Sequence, residues 1–427
     1  MKREFKMMSM LVLCFSMAVI FGAASDYSLG IFGNANMDDR IDEQDVAFVN
    51  DVISGAKSAT NLTDANRDGN IDEKDIDQIE QIIDGKEKEL TILDSAGRTV
   101  TVQKPVERVV IAVSGGPSAA AILGAKDKVV GVPDYIVKKE DWGSVPLYPE
   151  LALLPSIGKH SDPDVEAIVS LNPDFVMLYR DALQSGSDPS APLEDAGIAA
   201  VYLDLWNSSI MAEEMDLLGY IFDRRAEADK YIEFCENYEN YFKARTDGLS
   251  DEEKPKVYLE DYDDYYACGD GGYYDRLCKL AGGKNIAAGL KTDEWGFLTI
   301  DREFVMEQNP DIIIRTQYSG VGYALGNSSA MNDTREKILS RPELNAPAIN
   351  AVKNSQCYLH GGFEQLGQHI LTTAYFAKWI HPELFRDLNP QAVHQEYLDT
   401  FFKDADFNVS EHGTFAYPSM ETNAGTS

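Results

Sequence analysis

Positive charge is scarce in this chain. Its 427 residues hold 38 lysines and arginines against 71 acidic residues, a formal net charge of −33. Such a surface repels phosphate backbones, which removes DNA and RNA as partners and disfavours anionic lipid headgroups, while cations are attracted. Cysteine is also sparse, five in all, so a small disulfide-built scaffold is excluded. Only six histidines occur and none cluster. Capture of a bare divalent metal needs about three histidines and a carboxylate in one site. Here only His160 and His360 fall near loops suited to binding; His381, His394 and His412 read as scattered and solvent-exposed. The sequence has no Gly-x-Ser-x-Gly elbow, no phosphate loop ending in Gly-Lys-Ser/Thr and no His-Glu-x-x-His pair. Gly115-Gly116 after a strand is too weak a signal for a dinucleotide site. Catalysis is not expected.

Long hydrophobic runs are limited to one. Lys2, Arg3 and Lys6 precede the apolar stretch Met7–Ile20, and Gly22 and Ala24 stand before Ser25. This is the pattern of an export signal over residues 1–24. The run also matches the shortest spanning helix, so a retained anchor stays open. Leu13 is too bulky for a lipid-attachment reading of Cys14. The chain is therefore expected outside the cytoplasm, in the periplasm or at the cell surface on the outer face of the membrane. Beyond the signal, Cys235, Cys268, Cys278 and Cys357 allow three pairings; Cys268 and Cys278 are near in sequence, and the bridge is left open. Asn-x-Ser/Thr sequons, Asn207 among them, fit an exported surface.

What the chain has in abundance at its start is paired acidic loops. Residues 34–45 read NANMDDRIDEQD and residues 64–75 read DANRDGNIDEKD, a duplication offset by 30 residues. Oxygen ligands at positions 1, 3, 5, 9 and 12, with a backbone carbonyl at 7, make a calcium loop. The second loop offers Asp64, Asn66, Asp68, Asp72 and Asp75, with the Asn70 carbonyl and Gly69 at the sharp turn. The first offers Asn34, Asn36, Asp38, Asp42 and Asp45, with the Arg40 carbonyl. Asp39 stands there in place of the turn glycine, a position that favours φ > 0. With three carboxylates against four, the first site is the weaker. Each loop has an aliphatic residue at position 8, Ile41 or Ile71, and runs into an amphipathic helix. This arrangement resembles dockerin domains over residues 27–86, which implies two calcium ions as cofactors and a cohesin domain as partner.

Beyond Asp84-Gly85 the pattern changes. Thr91–Val102 alternates around Asp94-Ser-Ala-Gly97, a hairpin signal. Strands and helices then alternate: strands at 109–113, 129–132, 174–178 and 201–203, helices at 117–123, 165–171 and 193–196. This is an α/β lobe with a mainly parallel sheet. A helical region from about 208 to 247 carries a stripe at Ile232, Cys235, Tyr238 and Phe242, and the α/β pattern restarts at Lys256. The expected architecture is two Rossmann-like lobes, 89–205 and 255–403, joined by a single long helix, after a small all-α module and before a tail at 404–427. Ligands of open α/β lobes sit at the carboxyl ends of strands. That rule selects Ser114–Ser118, Asp134-Tyr135, Lys159-His160 and Tyr179-Arg180 on one lobe. On the other it selects Glu260–Tyr266, Gly269–Gly272, Trp295 and Phe363-Glu364.

Several segments carry a second resemblance. Glu107-Arg-Val-Val110, Leu123–Gly131 and Asn172-Pro-Asp-Phe-Val176 in the first lobe, with Leu280–Ile286, Asp301-Arg-Glu303 and Asn309-Pro-Asp-Ile-Ile313 in the second, resemble substrate-binding proteins of ABC importers for metal chelates. The resemblance runs from about 89 to 403. It implies a ferric siderophore, haem or cobalamin held between lobes that move little, and delivery to a permease dimer. It places cleft aromatics at Tyr135, Tyr179, Tyr262 and Trp295, to which strand-end position adds Phe363, with Arg180 as the cation for a ligand carboxylate. It also implies one docking glutamate per lobe, Glu166 and Glu303. A role confined to cell-surface assembly through the dockerin-like module is the competing reading.

Overall fold

The computed structural model describes residues 27–138, 145–180, 183, 186, 188–293, 295–323, 328–345, 348–362 and 366–418. The export segment 1–24 and Phe363 lie outside the described residues.

In the amino-terminal module each acidic loop builds the start of its own helix. Asp42 caps α1 (Glu43–Ile53) and Asp72 caps α2 (Glu73–Asp84). In both, the N3 carboxylate, Asp45 or Asp75, reaches back to the cap N–H, completing a capping box. The module has no core of its own: Leu29, Ile31, Ile41, Val49, Ile79 and Ile82 belong to the same buried cluster as the first lobe. Ile31 bridges Ile92, the Phe32 N–H donates to the Thr91 carbonyl, and the Leu93 N–H donates to the Gly30 carbonyl. Further along, the Ile41 N–H donates to the Tyr220 hydroxyl and Arg225 donates to the Ile83 carbonyl.

The expected hairpin forms from β1 (Glu89–Leu93) and β2 (Thr99–Gln103), paired from Glu89–Gln103 to Leu93–Thr99. Lobe 1 then runs through β3 (Val109–Ala112), α3 (Gly116–Ile122), β4 (Val129–Gly131), α4 (Asp134–Val137), the short β5 (Gly158–Lys159) and β6 (Asp162–Pro163), α5 (Val165–Ser170), β7 (Phe175–Tyr179), α6 (Ser190–Asp195) and β8 (Ala199–Leu203). Its sheet is parallel in the order β4-β3-β7-β8. β3 is buried throughout, as a strand covered on both faces must be.

The connector is not one helix. α7 (Met211–Phe222) ends on Asp223 at φ 57, and α8 (Arg225–Thr246) begins two residues later. The two pack together as a hairpin, and α8 alone, 22 residues long, spans about 33 Å. Its stripe is real: Cys235 and Phe242 are buried, and Ile232 and Tyr238 pack against the same core.

Lobe 2 comprises β9 (Lys256–Glu260), β10 (Tyr266–Cys268), α9 (Tyr273–Leu280), β11 (Lys284–Asn285), β12 (Phe297–Thr299), α10 (Arg302–Gln308), β13 (Ile312–Gln317), α11 (Ser329–Leu339), α12 (Pro342–Asn345), α13 (Asn350–Lys353), β14 (Cys357–Gly361), α14 (Gln368–Ile380), α15 (Pro390–Phe401) and β15 (Ala416–Tyr417). Its sheet runs β12-β10-β9-β13-β14-β15, with β11 beside β9. The core β11, β9, β13 and β14 is parallel; β10, β12 and β15 are antiparallel additions. The span from 404 is thus no tail as far as 418. β15 pairs with β14, and Phe415 is buried. The four described cysteines are buried and free, Cys268 and Cys278 included. His394, expected on the surface, is buried with its Nε2 2.6 Å from the Tyr323 hydroxyl.

Candidate functional site

The carboxyl ends of β3, β4, β7 and β8 form one wall of the candidate cleft, and those of β9, β13 and β14 form the other. On lobe 1, Tyr135 leaves α4 pointing inward: it is 6% exposed and its hydroxyl donates to the Ser114 carbonyl at 3.0 Å. His160, on the β5–β6 turn, meets Tyr135 edge-on at 5.7 Å and Tyr179 at 5.3 Å, and burial lowers its pKa. Arg180 pairs with Asp204, a buried carboxylate, at 3.0 Å, so the cation assigned to a ligand is engaged within its own lobe. Behind it the buried Glu214 of α7 accepts the N–H groups of Asp204 and Leu205, and burial pushes its carboxyl up to about 7. Gly115 serves this same turn rather than a ligand: a Cβ there would come within 2.6 Å of the Leu205 carbonyl oxygen.

On lobe 2 the aromatics face outward. Tyr262 is 55% exposed, Tyr318 44% and Trp295 39%. Tyr262 lies 5.3 Å from Tyr266 and 6.5 Å from Tyr318, and Tyr266 stacks on Phe297 at 5.3 Å and 19°. The hydroxyls of Tyr274 and Tyr318 are 3.3 Å apart. Asp293 ties the β10–β12 corner, accepting from the Tyr266 hydroxyl and from the Trp295 N–H. Burial pushes the carboxyl of Asp261 up to about 6, against hydrogen bonds from Tyr318 and Thr316. His360 is buried with its Nε2 3.0 Å from the Thr316 hydroxyl, and burial pulls its pKa down to about 3, which leaves it a core histidine.

A buried charge network anchors the tyrosine loop. Glu260 accepts from Arg315 at 2.6 Å, from Arg341 at 2.8 and 3.1 Å, from the Tyr258 hydroxyl at 2.9 Å and from the Tyr265 N–H at 2.8 Å. Arg315 also donates to the Tyr262 carbonyl. Tyr266 falls in the segment Glu260–Tyr266 selected from the sequence, but Phe297, Tyr274 and Tyr318 were missed. Tyr318 was within reach, since it directly follows β13 just as Tyr179 closes β7.

The two acidic loops repeat most of their hydrogen bonds. Asn36 and Asn66 accept the N–H groups of Asp38 and Asp68. Asp38 and Asp68 accept those of Arg40 and Asn70. Asp45 receives Asn36 and Asp42, as Asp75 receives Asn66 and Asp72. Asp39 does not take the left-handed conformation; that falls on Met37 (φ 62) and its counterpart Arg67 (φ 61), and only the second loop adds Gly69 at φ 86, whose N–H donates to Asp64. No three His, Cys, Asp or Glu side chains stand together as a ready metal cluster among the described residues. The first-position oxygens are nevertheless of the kind a cation would satisfy. Asn34 is wholly buried, and its Oδ1, like the Oδ1 of Asp64, is buried with no hydrogen-bond partner. In the second loop the Lys74 ammonium lies 3.0 Å from Asp68 and 3.9 Å from Asp72, a positive charge beside the carboxylates that would bind one.

Glu166 and Glu303 are exposed in the first turns of α5 and α10. Both helices end before an Asn-Pro-Asp turn with the asparagine left-handed, Asn172 at φ 48 and Asn309 at φ 47. Asp174 and Asp311 then accept N–H groups at the starts of the neighbouring strands. An open depression of about 660 Å³ lined by Glu253, Pro255, Asp311 and Trp379 lies at the amino ends of β9 and β13, opposite the strand ends that carry the candidate cleft residues.

Two α/β lobes with candidate residues at their strand ends, joined by the α7–α8 hairpin, have the architecture of a solute-binding protein. The family described as periplasmic binding protein matches residues 110–361, and the chain belongs to it. The "Uncharacterized ABC transporter substrate-binding lipoprotein YvrC" of Bacillus subtilis is 24% identical over 45% of this chain and 58% of its own. The "High-affinity heme uptake system protein IsdE" of Staphylococcus aureus is 23% identical over 48% of this chain and 65% of its own. The chain thus spans less than two thirds of either curated relative. Among solved structures, the TroA-like periplasmic binding protein FepB of Veillonella parvula matches with TM-score 0.64 at 24% identity, over 76% of this chain and 98% of that one. The molybdate-bound MolA of Haemophilus influenzae matches at 0.59 and 21%, over 73% and 98%. At these identities the structures establish the fold. Among the described residues no helix is long and apolar enough to cross a membrane.

Proposed function

We propose that this protein captures a metal chelate, a ferric siderophore, haem or cobalamin, between its lobes and delivers it to an ABC importer. The observation that carries the reading is the group Tyr262, Tyr266, Phe297 and Tyr318 at the strand ends of lobe 2, where Tyr262, Tyr318 and the nearby Trp295 are left in solvent. Flat, partly apolar chelates gain about 0.5–1.5 kcal/mol per aromatic contact beyond area burial. The relatives lend support, since one is named for haem uptake and the other for substrate binding. Titration with hemin, a ferric siderophore and cyanocobalamin should quench tryptophan fluorescence, and Trp295→Ala should remove most of the change. A quench untouched by that substitution puts the ligand elsewhere.

Delivery uses Glu166 and Glu303, each an exposed carboxylate in matching helices, docked on cationic residues of the two permease subunits. The amino-terminal module acts as a dockerin-like unit that takes calcium in both loops, more tightly in the second. Residues such as Ala47 and Asn50 on α1 and Glu80 and Gln81 on α2 remain exposed and supply the surface for a cohesin. Uptake into membrane vesicles distinguishes this transport role from pure cell-surface assembly.

A further inference from the structure

Asp261 directly follows β9, one residue beyond the Glu260–Arg315 pairing, so Thr316 is its neighbour on β13. Thr316 is in turn registered on His360 of β14, with its hydroxyl 3.0 Å from the His360 Nε2. Three polar side chains thus stand abreast at the carboxyl ends of three parallel strands, and all three are buried, Asp261 to 4% exposure. Tyr274 of α9 covers the row, its ring 4.9 Å from that of His360 and its hydroxyl 3.3 Å from the Tyr318 hydroxyl. Tyr318, two residues past Thr316, connects this row to the cleft. Its hydroxyl bonds to Asp261, while the residue as a whole is 44% exposed. Its ring lies against Gly362, where a Cβ would come within 2.5 Å of it.

Asp261 is held at a cost. Its Oδ1 is buried with no hydrogen-bond partner, and a buried carboxylate with an unmet acceptor destabilises the fold. The groups that face it come from every adjoining element: Arg315, Thr316 and Tyr318 of the β13 strand end, Tyr266 and Cys268 of β10, Tyr274 of α9 and, beyond Thr316, His360 of β14. Arg315 is engaged by Glu260. Burial keeps His360 neutral and raises the Tyr266 and Tyr274 phenols and the Cys268 thiol, whereas the Asp261 carboxyl stands at about 6. An ionised carboxylate only accepts hydrogen bonds, so Tyr318 gives it the phenol proton and keeps its lone pairs for the cleft. A protonated Asp261 has an O–H of its own to donate, and the Tyr318 O–H is then released toward the cleft instead.

We propose that Asp261 is a positioning residue for Tyr318: when ionised it turns the phenol's lone pairs toward the cargo, so that the group met there is a hydrogen-bond donor, an amide N–H or a hydroxyl. This rests on the chelate reading above and narrows it. Because binding favours the ionised form, affinity is full above the Asp261 pKa and is lost as pH falls through it.

The test uses the full chain with ferrioxamine B and cyanocobalamin, which carry amide N–H groups and keep one charge state from pH 5 to pH 8. Hemin, whose carboxylates at pH 8 only accept, is the donor-free probe at that pH. Fluorescence titration gives the affinities. For whichever amide-bearing probe binds more tightly, Kd should rise about two- to tenfold from pH 8 to pH 5, the worth of one hydrogen bond. Asp261→Asn, which cannot titrate, should bind it equally at both. Tyr318→Phe should bind it at both with the wild type's pH 5 affinity, and should lose less affinity for hemin. Melting curves separate positioning from a structural role: Asp261→Asn should raise the melting temperature at pH 8, where the buried charge costs stability, and leave it nearly unchanged at pH 5. A pH dependence that survives in either variant, an equal loss of hemin and the amide-bearing probe in Tyr318→Phe, binding of hemin alone, or a lowered melting temperature of Asp261→Asn at pH 8 overturns this inference and leaves the chelate reading standing. Binding of none of the three probes overturns the chelate reading, and the inference with it.

Discussion

The two walls of the cleft are built by opposite rules. On lobe 1 every candidate is satisfied from within: Tyr135 is buried on the Ser114 carbonyl, His160 lies between two tyrosines, and Arg180 is paired with Asp204. On lobe 2 the polar groups are locked beneath the surface, around Glu260, while Tyr262, Trp295 and Tyr318 stay in solvent. An exposed aromatic edge gains from a ligand what a buried one has already gained from its neighbours. Lobe 1 therefore reads as a pre-formed backstop and lobe 2 as the face that supplies binding energy. The lobes are alike at their far ends, where α5 and α10 carry Glu166 and Glu303 ahead of equivalent Asn-Pro-Asp turns.

The largest effect expected concerns that likeness. Charge reversal at both sites, Glu166→Arg with Glu303→Arg, should abolish vesicle uptake by setting like charges together in the docked register, with ligand affinity and melting temperature nearly unchanged. Single exposed ion pairs contribute only about 0–1 kcal/mol, so orientation rather than affinity is lost. Uptake at the wild-type rate by a folded double variant ends the docking model and leaves the two glutamates as ordinary first-turn acids.

Next comes the buried network around Glu260. Glu260→Ala leaves Arg315 and Arg341 without their central carboxylate, and breaking a buried pair costs about 3–5 kcal/mol. Chemical unfolding should register that loss. Chelate binding should fall with it, since the Tyr262 and Tyr265 backbone is held by this cluster. Unchanged stability would mean that Asp264, which also meets Arg341, carries the charge balance instead.

The amino-terminal module, with the calcium sites proposed for it, offers a finer contrast. Because Leu29, Ile31 and Ile41 share the lobe 1 core, calcium should raise the melting of the whole chain, not of a separate unit. Saturation at about 100 times Kd is worth about 2.7 kcal/mol per site. Asp68→Ala should reduce calcium affinity more than Asp38→Ala, since the second loop has the extra carboxylate and the turn glycine. Equal losses, or no calcium uptake at all, would sink the assignment of these loops.

Much of this was legible because it is local chemistry. The duplicated loops, the Asp94–Gly97 turn and the Asn-Pro-Asp turns each arise from residues within a few positions. The break at Asp223 was hidden, since a non-glycine residue in a left-handed cap carries no strong sequence signal. Strands β10 and β12 are three residues each, too short for an alternation to register. Burial of His394 against Tyr323, and the engagement of Arg180 by Asp204, depend on contacts across 71 and 24 positions that no local pattern encodes.

The smallest effect separates the two walls most cleanly. Tyr262 is half in solvent, so Tyr262→Ala should leave stability within about 0.5 kcal/mol, as surface changes do. It should still weaken chelate binding by about 0.5–1.5 kcal/mol, the worth of one aromatic contact, which is about two- to tenfold in Kd. Tyr135→Phe should do the reverse. It keeps the ring but leaves the Ser114 carbonyl without its hydroxyl donor in a buried setting, costing about 1 kcal/mol of stability, while chelate affinity stays as it was. Paired denaturation and binding curves for the two variants measure both quantities. If Tyr135→Phe weakens binding and Tyr262→Ala does not, the roles of the walls are exchanged, and the ligand rests on lobe 1.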